Sequence, residues 1–415
     1  MNPVVRRVLF GNALAAIGSG LTLPLLIVYL AQVRGLGTTV GGFVVAYIAL
    51  VQLLLLPVAG ILVDRLGPRP VLMGGLLVQG SGIALLTQVD SVATAYGVAT
   101  VISIGSAFSW GPQSALLGRL TAPAERTRVF GIQFMILNLG IGIGGIVAAT
   151  IVDVARPATF QLLYITDSLT YLLYVLVLAS LRGVGVGPAP VEEDEEAEGG
   201  YREVLRDRRL LRLVALGLVL MTFGYGSLEV GLPVIITVVN GLAVSWVAIA
   251  FAVNTATIVL VQLFSLKVIT GRSRSRLLAV VAGLWVVSWL LLGLSGTLPL
   301  TLTIVAICLS TAVFALGETL SAPIMPSLVN DLAPGHLRGR YNAVQSVTWG
   351  VSGALGPAIA GIMLGAGLVA AWIALVVGGL VVAGILALRL RRTLTPALDG
   401  RLPDVSDARV EQCGT

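Results

Sequence analysis

Charge is what this sequence has least of. Only 11% of its 415 residues are Asp, Glu, Lys or Arg, against about 25% in ordinary soluble domains. That is too little polar surface to face water, which excludes a soluble enzyme, a nucleic-acid-binding domain and a disordered chain. There is one histidine, His336, and two cysteines, Cys308 in an apolar run and Cys413 in the polar tail. No metal-ligand cluster and no disulfide framework can be built from these. A glycine-rich phosphate loop ending in lysine is missing, which argues against ATP drive. Short alternating strands are missing too, which argues against a β-barrel. What the chain has in quantity is apolar bulk: 57% hydrophobic residues, a mean hydropathy of +0.98 and 50 glycines. Glycine at that level suits helices packed closely in lipid.

A bilayer core of about 30 Å needs about 20 apolar residues per helix. Twelve runs meet this: 8–33, 40–63, 71–88, 92–118, 129–153, 160–182, 210–239, 243–269, 277–295, 298–328, 340–364 and 367–390. The first follows Arg6 and Arg7 but is too long for a signal peptide. With the N-terminus in the cytoplasm, all Lys and Arg except Arg34 and Arg156 fall inside. The expected fold is an all-α membrane protein of two pseudo-symmetric six-helix bundles, both termini cytoplasmic in the cell membrane. Its parts are a bundle over 1–182, a linker over 183–209, a bundle over 210–390 and a disordered tail over 391–415. The linker carries an acidic run, EEDEEAEGG, and then YREVLRDRRLLR, which reads as a basic amphipathic helix on the inner leaflet.

The two halves repeat. At a constant offset Arg126 matches Arg338, Arg128 matches Arg340, Gln133 matches Gln345 and Gly144 matches Gly356. Ala-Pro precedes both segments, at Ala122-Pro123 and Ala333-Pro334. An even number of spans per half makes the repeats parallel, as in carriers with a site between two six-helix bundles.

Between spans 2 and 3 stands Gly60-Ile-Leu-Val-Asp64-Arg65-Leu-Gly67-Pro-Arg69-Pro70. This resembles the signature loop of the major facilitator superfamily, G-x-x-x-D-R-x-G-x-R-R, with Pro70 in place of the last basic residue. Asp64 is expected to cap or neutralise a neighbouring helix end, and Arg65 and Arg69 to bind acidic partners or lipid headgroups. The resemblance implies that Gly60, Asp64, Arg65, Gly67 and Arg69 hold an inner gate. The counterpart between spans 8 and 9, Gly271-Arg272-Ser-Arg274-Ser-Arg276, keeps the glycine and the positive charge but lacks the acid, so an asymmetric clasp is expected. Span 5 carries Asn138-Leu-Gly140-Ile-Gly142-Ile-Gly144-Gly145. It resembles the glycine-rich motif of the superfamily's antiporters without its Gly-Pro pair, which span 11 has at Gly356-Pro357. The layout is most similar to the drug:proton antiporter branch.

Charge at bilayer depth is costly and tends to be functional. Asp167, Glu229 and Glu318 lie within spans 6, 7 and 10 and are the proton-coupling candidates. Glu229 leads, on a face shared with Tyr225 and Pro233; its rival reading is a carboxylate bonded to backbone at the Gly224/Gly226 break. Asp167 is expected near the outer end, where water can reach it. The family pattern gives Glu318 a second reading, as a gate residue paired with Arg338 or Arg340. Substrate-cavity candidates are Asn12, Ser19, Ser106, Trp110, Gln113, Tyr225, Asn254, Gln345 and Trp349, polar and aromatic side chains that suit an amphipathic molecule. In span 4, Ser103, Ser106, Trp110 and Gln113 are expected on one helical face. Two departures from the antiporter pattern bear on coupling: Gln113 stands where an Arg is common, and span 1 has no acid.

The reading is a secondary transporter working by alternating access, exporting hydrophobic or amphipathic small molecules on a proton gradient. It is not an enzyme, with no catalytic residues, no metal site and no cofactor. Its partners are a small-molecule substrate and membrane lipids, without nucleic acid, and it acts as a monomer. Uptake or uniport of a small polar metabolite is the alternative.

Overall fold

The computed structural model describes residues 2–22, 25–181, 183–187, 200–243 and 245–401. Among them there is helix and no strand. Twelve helices are long and apolar enough to cross a membrane: Pro3–Val33, Thr39–Leu66, Pro68–Gln88, Val92–Leu120, Pro123–Ile151, Pro157–Ala179, Arg208–Val239, Ser245–Ile269, Arg274–Thr297, Leu300–Leu332, Gly335–Gly365 and Val369–Leu390. They are called spans 1 to 12 below. Local chemistry sets several starts. Pro68, Pro123 and Pro157 stand at the first turns of spans 3, 5 and 6, where a missing N–H costs nothing. A Ser91–Thr94 capping box starts span 4, and Asp207 caps span 7 by accepting from Arg209 N and Leu210 N.

Two compact units result: residues 1–204 with 333–350, and residues 205–332 with 351–415. Most of the same neighbours recur in both. In the first unit span 1 packs on spans 5 and 6, span 3 on spans 4 and 6, and span 2 on span 4; in the second, span 7 packs on span 12, span 9 on spans 10 and 12, and span 8 on span 10. The glycine match of the repeat has a physical reason. A Cβ on Gly144 of span 5 would meet backbone of span 1 at Ile17 and Gly20, and one on Gly356 of span 11 would meet backbone of span 7 at Gly226. Only glycine lets the helices approach so closely. Gly144→Leu is expected to destabilise by about 1–3 kcal/mol, read as a lower thermal midpoint in detergent. Gly145→Leu is the control, because a Cβ there meets nothing nearer than Gly20 O at 3.9 Å; equal losses in both variants would refute the packing argument.

Spans 1 and 7 also share an ending. Tyr29–Val33 and Ile235–Val239 are π-helical turns, each closed by matching bonds: Arg34 N to Tyr29 O and Leu36 N to Leu30 O, then Asn240 N to Ile235 O and Leu242 N to Ile236 O. Arg34 is tied down there, donating to Tyr29 Oη at 2.7 Å and to Thr87 O. Its guanidinium, the departure from the basic-inside pattern, is thus half-buried and hydrogen-bonded to neutral groups. The other exception, Arg156, is exposed and pairs with Asp153 at 3.4 Å.

Two expected segments differ. The amphipathic helix of 201–212 is broken: Tyr201–Val204 is one short helix, and the Asp207 cap makes Arg208, Arg209 and Arg212 the first turns of span 7. The acidic run lies outside the described residues. The tail is not disordered throughout, because residues 391–401 fold back and Asp399 is fully buried by bonds from Ser273 and Ser275. Residues 402–415 lie outside the described residues.

Candidate functional site

The signature loop of the first unit is a polar clasp. Span 2 ends at Gly67, whose φ of +89° turns the chain without strain only for glycine. Asp64, three residues earlier, reaches the first turn of span 11. Its Oδ1 accepts from Gly339 N at 2.6 Å, and its Oδ2 accepts from Arg340 N at 3.2 Å. Arg340 Nη1 lies 3.2 Å from the same Oδ2. A carboxylate on free N–H groups at a helix start is the favourable arrangement for both dipole and charge. Gly60 allows the approach, since a Cβ there would meet Tyr201 Oη, Ala343 and Arg340.

Tyr201 completes the clasp and was not singled out from sequence. Its hydroxyl donates to Pro57 O at 2.7 Å, and Arg340 lies over its ring at 5.9 Å. Burial pushes this phenol up to about 12, so it stays a donor across physiological pH. The only available signal was an aromatic placed between an acidic and a basic run. Of the basic residues of the loop, Arg65 is exposed and Arg69 half-buried, with Arg69 Nη2 donating to Ala179 O at 3.0 Å. Arg338 starts the helix that Asp64 caps.

Asp167 is not in the outer part of its span. Span 6 begins at Pro157 and ends at Ala179, which puts Asp167 near mid-helix. It is fully buried, accepting from Thr22 Oγ1 at 2.6 Å and from Thr170 Oγ1 at 3.4 Å. One turn along, a chain of neutral groups joins four spans. Ser19 Oγ and Tyr171 Oη lie 3.1 Å apart, Gln79 Nε2 donates to Tyr171 Oη, and Ser109 Oγ donates to Gln79 Oε1.

In the second unit Glu318 is buried and accepts from Asn254 Nδ2 at 2.6 Å. The expected pairing with the basic loop is corrected: Arg340 takes Asp64 and Glu318 takes a neutral amide. Tyr225 lies within electrostatic reach of both Glu318 and Glu229, with its ring 6.4 Å from that of Phe314. Glu229 is exposed, one turn after a π-helical stretch at Thr222–Gly226, a feature frequent at functional sites. Its rival reading is also corrected. The break is satisfied by Ser227, whose hydroxyl donates to Thr222 O at 3.0 Å, and not by Glu229.

The proposed span 4 face is not continuous. The helix stops at Ala107 and restarts at Trp110, with Pro112 in the restarted turn and Ser109 bonded back to Gly105 O. Ser106 and Gln113 are buried while Trp110 is 52% exposed. Trp349 is exposed and Gln345 buried. Among the described residues Asn12 Oδ1, Gln113 Nε2 and Gln345 Oε1, all in the first unit and all buried, have no hydrogen-bond partner. Gln113 Oε1 does accept from Tyr174 Oη at 3.4 Å.

A family model described as Major Facilitator Superfamily matches residues 8–316. The multidrug resistance protein MdtH of Yersinia pestis is 26% identical over 358 residues, covering 84% of this chain and 83% of that protein. A bacterial homologue of the iron transporter ferroportin, crystallised in an outward-facing state, superposes with a TM-score of 0.80 at 13% identity, over 94% of this chain and 100% of that one. The Escherichia coli fucose:proton symporter FucP superposes with a TM-score of 0.69 at 14% identity, over 93% and 98%. At these identities the superpositions speak to fold alone.

Proposed function

Because this chain belongs to the Major Facilitator Superfamily, we propose that it is a proton-coupled exporter of hydrophobic or amphipathic small molecules working by alternating access. It is a multi-pass membrane transporter and not an enzyme. In this reading it sits in the cell membrane with both termini cytoplasmic, acts as a monomer among lipids and needs no cofactor beyond the gradient. The observation that carries coupling is the pair of buried carboxyls held by neutral donors alone, Asp167 by two threonines and Glu318 by Asn254. Neither has a basic partner among the described residues. A buried carboxyl so held is costly as a bare charge and is a place for a proton to bind and leave. Export of amphipathic compounds draws on the MdtH relative, named for multidrug resistance, and on the aromatic groups around Tyr225. The clasp supports alternation, since Asp64 holds Gly339 and Arg340 by hydrogen bonds and an ion pair, contacts of the kind that conformational switches exchange.

The alternative, uptake of a small polar metabolite, draws on Asn12, Gln113 and Gln345, three of the four buried amides with an unused polar atom among the described residues, which suit hydroxyl or amide groups of a substrate.

Proteoliposomes holding the purified protein, fluorescent cationic and neutral dyes and an imposed pH gradient test the reading. The gradient is expected to accelerate dye movement, and its collapse to return the rate to baseline. Equal rates with and without the gradient would refute proton coupling. No movement of any dye, with movement of polar metabolites, would favour the alternative.

A further inference from the structure

The loop between spans 8 and 9 lacks the acid of the signature loop, yet a buried carboxylate lies against it. It comes from the far end of the chain. Asp399 is fully buried. Its Oδ1 accepts from Ser275 N at 2.9 Å and from Ser275 Oγ at 2.7 Å. Its Oδ2 accepts from Ser273 Oγ at 2.6 Å, with Arg401 Nε 3.1 Å away. Ser273 is the cap of span 9, so Asp399 supplies negative charge where the helix start favours it. Its backbone joins in, since Arg274 N donates to Asp399 O at 2.8 Å.

Arg274 links this segment to a third element. Its Nη1 meets Asp331 at 2.5 Å, the last residue but one of span 10, and donates to Leu398 O at 3.3 Å. Gly400 fits the turn for two reasons: its φ is +75°, and a Cβ would come within 3.2 Å of Arg272 O. The first unit has a counterpart strap after span 6. Arg69 N donates to Gly185 O, Gly187 N donates to Leu66 O, and Arg119 Nη1, at the end of span 4, donates to Gly187 O. The two straps occupy corresponding places in the repeat. The first holds by its backbone groups and the second adds a buried carboxylate.

We propose that residues 391–401 are a latch, with Asp399 as its positioning residue, that holds the start of span 9 and, through Arg274, its ion pair with the end of span 10, and must release before this end of the second unit can open. The latch makes these three pieces move together, so it slows opening and sets a rate in the conformational cycle.

Four chains in lipid nanodiscs test this: the full chain, a stop after Arg401, a stop after Leu390, and Asp399→Asn. The readouts are amide hydrogen exchange over 273–277 and maleimide labelling of Leu277→Cys, with Cys308 and Cys413 replaced by serine. Asp399→Asn and the stop after Leu390 are expected to speed both about fivefold, the equilibrium factor of a typical helix cap. The stop after Arg401 is expected to match the full chain. Where the shorter truncation fails to insert, Asp399→Asn alone decides. Exchange and labelling unchanged in Asp399→Asn would overturn the latch. Dye turnover adds a third arm, the only one that rests on the transport reading. It is expected to rise in Asp399→Asn; lost protection with unchanged turnover would reduce Asp399 to a passive cap and overturn the latch as a device. If the full chain moves no dye, the reading as an exporter of amphipathic molecules fails while exchange and labelling still decide the latch.

Discussion

Glu318→Gln is expected to abolish gradient-driven movement of substrate while leaving the protein folded. The substitution keeps the shape of the side chain and an oxygen for Asn254 Nδ2, the donor now 2.6 Å away. It removes the one property a coupling group cannot lack, a proton that comes and goes. The expected loss in the driven rate is about two orders of magnitude, the lower range for removing a group that transfers a proton. Exchange without a gradient should continue. Glu318→Leu separates coupling from architecture. It leaves Asn254 Nδ2 only Thr311 O at 3.5 Å, and a buried donor so poorly served costs about 1–3 kcal/mol, so this variant should also lose thermal stability. Retention of full gradient drive in Glu318→Gln would remove Glu318 from the coupling path and pass the role to Asp167 or Glu229, tested by Asp167→Asn and Glu229→Gln.

Asp64→Ala should open the clasp. The change takes away the acceptor for Gly339 N and Arg340 N and leaves Arg340, whose side chain is only 13% exposed, without its carboxylate. Breaking a largely buried pair from one side costs about 3–5 kcal/mol, more than a surface ion pair could contribute. The site to watch is Ala343, buried on the face that Gly60 meets. A cysteine at Ala343 should label with maleimide at least tenfold faster in Asp64→Ala than in wild type. Asp64→Asn should fall between, because its amide oxygen still accepts one backbone N–H while the charge is gone. Tyr201→Phe should have the smallest effect, since the ring under Arg340 survives and only the bond to Pro57 O is lost. Equal labelling across all of these would show that the signature loop does not hold this part of the chain closed.

The number of spans, their approximate ends and the two-half repeat were legible in the sequence by itself. Hydropathy over 20 residues is a local signal, and a glycine at a fixed offset marks a close approach before the partner is known. Gly144 and Gly356 are the clearest case, matched in sequence and each set against a glycine of another span. The signature loop was legible too, including the role of Asp64 as a charge at a helix end, because that role follows from its residue types. What only the tertiary structure decided is which groups meet across long sequence separations. That Arg340 belongs to Asp64 and Glu318 to Asn254, that Asp167 is shut away at mid-helix, and that Tyr201 sits under the clasp depend on how helices pack. The missing acid of the second half shows the limit most plainly: a carboxylate stands against that loop after all, but it arrives from Asp399, more than a hundred residues along, in a stretch too polar and too short to announce itself by periodicity.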